Sequence, residues 1–283
     1  MREEVKKQRL WRSVVEAIKA WAVRVPSVKE ATMLCTLPPE ILDLIIDHLH
    51  DEPTALKACC LVSKSWVPRT RRHLFALVEF RALEFPVEWW KKNFPDPSNS
   101  PAHHTRTLCI HDLPTLTAED TEASGWIRSF RNVVQLRLER ITWEGPRSPL
   151  IPFYGLSPTI RSLTLAHTSF EDFDLICSFP LLEDLALILL TSSNTDGWTA
   201  PLTSPKLTGS LELMARAGGI RPIVQRLLDL PNGLHFSRIR VSCLNEEDAR
   251  AVTDLVSMCS NTLETFDIGF FLTGGFPSTS EIV

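Results

Sequence analysis

Beyond about residue 104 the chain repeats one pattern of apolar and polar positions, apolar-x-x-apolar-x-apolar. It reads Val133-x-x-Leu136-x-Leu138, Ile160-x-x-Leu163-x-Leu165, Leu182-x-x-Leu185-x-Leu187, Phe236-x-x-Ile239-x-Val241 and Leu263-x-x-Phe266-x-Ile268. Weaker copies stand at Leu108-x-Ile110 and Leu211-x-Leu213. Aligned on positions 108, 136, 163, 185, 211, 239 and 266, the steps are 28, 27, 22, 26, 28 and 27 residues. Alternation of this kind predicts short strands, since successive side chains of a strand leave opposite faces. Helix-compatible stretches lie between several of them, at Glu119–Phe130, Glu171–Ser178, Ile220–Leu230 and Glu246–Cys259.

The N-terminal part carries a different period. Leu10, Trp11, Val14, Val15, Ile18, Trp21, Ala22 and Val25 fall three and four apart, which predicts an amphipathic helix with Lys6, Lys7, Arg9, Arg12, Lys19 and Arg24 on its other side. A basic amphipathic helix fits a membrane surface or a mitochondrial presequence. Glu3, Glu4 and Glu16 speak against the presequence, and packing on the following domain or on a partner is the simpler expectation. No continuous apolar stretch of a signal peptide is present.

Three short helices are expected next. Thr36-Leu37-Pro38-Pro39-Glu40 has the features of a helix start, because threonine caps free amides and proline is tolerated in a first turn. Ile41, Leu42, Ile45, Ile46 and Leu49 give a broad apolar band, with Asp43, Asp47 and His50 facing water. After the Asp51-Glu52-Pro53 break, a second helix from about Thr54 to Trp66 carries Leu56, Cys59, Cys60, Leu61 and Val62. Pro68 opens a third, basic helix that ends in Leu74 and Phe75. Three helices in so short a stretch form a small core. Apolar residues on more than one face of the first two leave surface for something else to cover.

The ordered combination of Leu37-Pro38-Pro39-Glu40-Ile41-Leu42, then Leu49, then Cys59-Cys60-Leu61-Val62-Ser63-Lys64-Ser65-Trp66, closing on His73-Leu74-Phe75, resembles an F-box of the form common in mushroom-forming fungi. The resemblance covers about residues 36–80. It implies docking to the SKP-type adaptor of a cullin-based ubiquitin ligase, with Leu37, Pro38, Ile41, Leu42, Ile45, Leu61, Val62 and Trp66 as contacts. Leu49 and Leu56 are expected in the helical core instead.

The period of the later strands is similar to that of leucine-rich repeats, roughly 20–29 residues. The copies lack the asparagine that regular repeats place after the strand, so the resemblance is to irregular repeats. It implies a curved solenoid, because one strand and one return helix cannot bury their apolar face alone. The competing reading is an ordinary α/β domain with similar alternation. The fold class expected from the resemblance is therefore α/β (α+β overall), a three-helix F-box followed by an irregular repeat solenoid. Its parts are an arm over 1–34, the F-box over 35–80, a linker over 81–104 with Trp89 and Trp90, the solenoid over 105–272 and a tail over 273–283.

Residues between the buried strand positions should face away from the core, on a surface able to hold a target protein. The candidates are His111, Arg137, Glu139, Asp184, Glu212, Arg238, Arg240 and Asp267, alongside uncharged neighbours such as Cys109 and Thr164. Trp198, in an irregular loop from Thr191 to Pro205, is a further candidate anchor. Both signs of charge occur, which fits a protein or peptide better than a phosphate backbone.

Composition narrows the picture. Net charge is −4 with a pI near 6.1, so bulk attraction to nucleic acid or anionic membranes is not expected. The seven cysteines are scattered and never spaced C-x-x-C, which reads as reduced thiols in a cytoplasmic or nuclear protein. No apolar run approaches the roughly 18–20 residues of a membrane span. None of the motifs G-x-S-x-G, G-x-x-x-x-G-K-[ST], H-E-x-x-H and G-x-G-x-x-G occurs. His48-x-His50 and His103-His104 read as solvated histidines rather than metal ligands. The expectation is a non-catalytic protein without cofactor or metal, bound to the SKP-type adaptor, through it to a cullin, and to a protein substrate. The alternatives are a scaffold that binds the adaptor without delivering ubiquitin, and a repeat binding module whose N-terminal helices merely cap it.

Overall fold

A computed structural model of the chain describes residues 38–82, 86–96, 98–112, 123–141, 153, 156, 158–168, 174–190, 203–215, 219–242 and 246–269. The N-terminal arm with its amphipathic pattern, Thr36 and Leu37 of the F-box-like motif, the C-terminal tail and Trp198 lie outside the described residues. The chain divides into two compact units, Met1–Arg106 and Thr107–Val283.

In the first unit, helices α1 (Pro39–His48), α2 (Pro53–Val62) and α3 (Val67–Leu74) are each opened by a proline in the first turn. Proline has no amide to waste there. Strand β1 (Leu77–Arg81) follows, with Val78 and Phe80 inward, and then helix α4 (Val87–Asn93). The stretch read as a linker thus holds ordered structure. Trp90 of α4 is buried and meets Phe75, Phe80 and Phe94 at ring-centroid distances of 6.3, 5.6 and 4.7 Å.

In the second unit, β2 (Thr107–His111), β3 (Gln135–Glu139), β4 (Ser162–Ala166), β5 (Asp184–Leu190), β6 (Ser210–Ala215), β7 (Arg238–Ser242) and β8 (Thr265–Gly269) each pair in parallel with the next. Register partners run Leu108, Leu136, Leu163, Leu185, Leu211, Ile239, Phe266, which are the positions aligned in the sequence. Short helices α5 (Asp174–Cys177) and α6 (Arg221–Leu228) and the longer α7 (Glu246–Met258) lie between strands.

This arrangement overturns the expected three-helix module plus solenoid. The strands form a single open eight-stranded, all-parallel sheet in the order β1 to β8, accompanied by seven α-helices among the described residues. That is an α/β fold, the competing reading of the alternation. The physical reason lies in residues 77–93. Val78 and Phe80 make a strand directly after α3, so the helices do not end as a free-standing bundle.

Among the described residues four non-glycine residues take the left-handed conformation: Asp112, Arg140, His167 and Leu189, with φ of 50, 50, 52 and 51°. The first three directly follow β2, β3 and β4. Each donates its N–H to the adjoining strand: Asp112 to Glu139 O, Arg140 to Ala166 O and His167 to Ile188 O, at 2.9–3.1 Å. The chain therefore leaves each strand by the same turn. Leu189 is instead the extra residue of a bulge, skipped between the pairs Ile188–Met214 and Leu190–Ala215. Leucine has no local hydrogen bond to offset that conformation, whereas asparagine adopts it readily. Leu189→Asn is accordingly expected to leave stability unchanged or raise it by up to about 1 kcal/mol in urea unfolding. A loss of about 2 kcal/mol would show that the half-buried leucine side chain matters more than its backbone.

Candidate functional site

The first two helices bury little of their apolar surface. In α1 only Ile46 is buried. Ile41, Leu44 and Ile45 are 43, 57 and 41% exposed, and Leu61 and Val62 at the end of α2 are 53 and 66% exposed. Helix α2 spends Leu56, Cys59 and Cys60, spaced three and four apart, on the core. That turns Leu61 and Val62 outward.

An ion network ties α1 to α3. Arg69 donates Nε–H to Asp47 Oδ1 at 2.7 Å and a second bond from its terminal nitrogen to Oδ2, and His73 Nε2 lies 2.7 Å from Oδ1. The Arg69 and His73 hydrogen bonds hold the Asp47 carboxyl far below the usual carboxylate range. Asp47 and its partners fix the roll of α1, so Ile41, Leu44 and Ile45 stay on the open side.

Of the residues expected to touch an adaptor, Pro38, Ile41, Ile45, Leu61 and Val62 are exposed, while Leu42 and Trp66 are half-buried. Leu37 lies outside the described residues. Of the two residues expected in the helical core, Leu56 is fully buried and Leu49 only half-buried. Sequence reasoning misses Leu44, although it stands three residues after Ile41 and beside Ile45 on the same apolar arc.

The sheet surface divides the other candidates. His111 and Glu139 are buried, and this corrects the expectation that they face a target. The last two residues of β2, β3, β4 and β7 are both buried, and after β2, β3 and β4 the next residue takes the left-handed conformation. Glu139 there accepts from His111 Nδ1 at 3.0 Å, Arg137 at 3.2 Å and Arg140 at 2.8 Å, and Arg140 also binds both oxygens of Asp112 at 2.6 and 2.9 Å. The His111 hydrogen bond, followed by the charges of His111, Arg140 and Arg137, holds the Glu139 carboxyl down to about 2 against the opposing effect of burial.

Asp184 is half-buried and committed to its own fold. Its Oδ1 accepts from the N–H and the hydroxyl of Ser210 at 2.7 and 2.6 Å. Arg137 is likewise half-buried against Glu139. The accessible charges gather on β6 to β8. Arg240 stands 3.9 Å from both Glu212 and Asp267, its register neighbours, and Arg238 is exposed beside them. Among the described residues no group of three or more His, Cys, Asp or Glu is placed to hold a metal ion, and no helix is long and apolar enough to cross a membrane.

No protein-family model matches the chain, and no curated protein matches it.

Proposed function

We propose that the chain is a non-catalytic substrate-recognition adaptor, whose helices α1 and α2 form an F-box-like docking face for the SKP-type adaptor of a cullin ubiquitin ligase. One observation carries this reading: Ile41, Leu44, Ile45, Leu61 and Val62 are exposed on two helices that send Ile46, Leu56, Cys59 and Cys60 to the core. An exposed apolar group of this kind marks an interaction surface in a soluble domain. The Leu-Pro-Pro-Glu-Ile-Leu and Cys-x-Leu-Val-Ser-x-x-Trp motifs name its partner by resemblance. The charges Glu212, Arg238, Arg240 and Asp267 are the target-facing part of the sheet on this reading. Catalysis would be proximity alone, a target lysine held near the ubiquitin thioester. The work would be done in the cytoplasm or nucleus.

Affinity capture of the full chain beside Ile45→Asp and Val62→Asp tests the docking face. Both side chains are exposed, so folding should survive while adaptor binding weakens by about thirtyfold each, as for an interface hot spot of roughly 2 kcal/mol. No capture by the wild-type chain, or equal capture by the variants, would remove the reading. Partners retained by the variants report the sheet surface. Their abundance after cullin inhibition separates a ligase receptor, whose targets rise, from a scaffold, whose partners do not change.

A further inference from the structure

Helix α3 carries Arg69, Arg71, Arg72 and His73. Arg69 and His73 are spent on Asp47. Arg71 and Arg72 take no part in that network. Among the described residues neither guanidinium forms a salt bridge or hydrogen bond, and Arg71 Nε is buried without an acceptor. Against α3 lies the 3₁₀ turn Pro101–His104. Ser100 accepts the Ala102 N–H at 3.3 Å and Pro101 sets the first turn position, which fixes the two following histidines. His103 is held to Ser100 O at 2.7 Å, and the His103 and His104 rings meet at a centroid distance of 3.9 Å. Thr105, the next residue, is fully buried with its hydroxyl unpaired.

Burial, and then the charges of His103, Arg71 and Arg72, push the His104 imidazole down to about 4. The three side chains whose charges act on this ring all carry or can carry positive charge. A buried guanidinium nitrogen without an acceptor, on the residue next to Arg72, is costly in a protein unless an anion completes it.

We propose that Arg71, Arg72, His103 and His104 form a binding site for a phosphoryl dianion. Two arginine forks supply paired donors suited to phosphate oxygens, and the half-buried setting of Arg71 and His104 limits competition from water. An arriving dianion would favour the charged form of His104 and so add a further donor. Arg72 and His103 are exposed and leave the site open to solvent. The site is separate from the apolar face of α1 and α2, and its test does not depend on adaptor binding.

The full chain is titrated with inorganic phosphate at neutral pH, against sodium chloride of matched ionic strength, while the His103 and His104 imidazole signals are followed by NMR. Saturable shifts are expected with phosphate alone. Arg71→Gln and Arg72→Gln should each weaken the apparent affinity by roughly tenfold, the loss of a charged hydrogen bond. Arg128→Gln, an exposed arginine elsewhere, should not. Arg72 is exposed, so its variant remains informative even where Arg71→Gln unfolds the unit. A parallel arm compares a short phosphoserine peptide with its unphosphorylated form. Tighter binding than free phosphate assigns the site to a phosphorylated side chain, and equal binding assigns it to the free ion. Shifts that do not saturate, that chloride reproduces, or that persist unchanged in Arg72→Gln overturn the site.

Discussion

Trp90→Ala is expected to destabilise the first unit by about 3–5 kcal/mol. The indole sits among Phe75, Phe80 and Phe94, with Phe75 and Phe80 edge-on to it at interplanar angles of 78 and 86°. Truncation removes the transfer energy of a large buried ring and leaves a hole that three rigid aromatics cannot refill. It also ends aromatic pairs worth about 0.5–1.5 kcal/mol each beyond their buried area. Those rings come from the end of α3, from β1 and from α4, so their loss loosens all three elements. Chemical unfolding followed by far-ultraviolet circular dichroism measures the effect. Trp90→Phe should retain a good part of the stability. A loss below about 1 kcal/mol for the alanine variant would mean that the aromatic cluster is not the core of this unit.

Glu139→Gln should cost the second unit about 2–3 kcal/mol at neutral pH. The carboxylate accepts from His111, Arg137 and Arg140, and an amide would place donor hydrogens against those donors. The wild-type protein carries the same information in its pH dependence. Folding lowers the Glu139 carboxyl from its ordinary 4.5 to about 2. Its contribution is therefore complete above about pH 4.5 and is lost as the pH falls towards 2. The variant should lack this component, so the two unfolding profiles converge in acid. Curves that stay parallel down to that pH would show that the charge of Glu139 contributes nothing.

The strands are legible in the sequence because their inward positions are almost all aliphatic at fixed spacing. Leu108 through Phe266 align as register partners for that reason. The first strand carries the same signal, since Phe75-x-x-Val78-x-Phe80 has that spacing and all three side chains are buried. Phe75 also reads as the end of a helix, which hides the pattern that begins on it. The expected fold class fails at the same point, because the linker signal of Pro95-Asp96-Pro97-Ser98 masks α4 and Trp90.

Strict alternation also fails for His111 and Glu139. It assigns the last residue of these strands to the outer face, but both are buried, at the point where the following residue turns left-handed and donates its N–H to the neighbouring strand. Asp112, Arg140 and His167 give no glycine or asparagine signal for such a turn. The uncovered face of α1 and α2 follows from their surplus of apolar residues. Which of them point outward depends on the Asp47 network, whose partners are 22 and 26 residues away.

Each strand from β2 to β8 pairs with the one that follows it in the chain, and partners are separated by 22–28 residues. Closing such loops carries nearly the same entropic cost at every step, because that cost changes only slowly with loop length. A ribosome releasing the chain from its N-terminus supplies the strands in their order of pairing. The sheet can then grow along one margin during synthesis, with no strand waiting for a partner made much later.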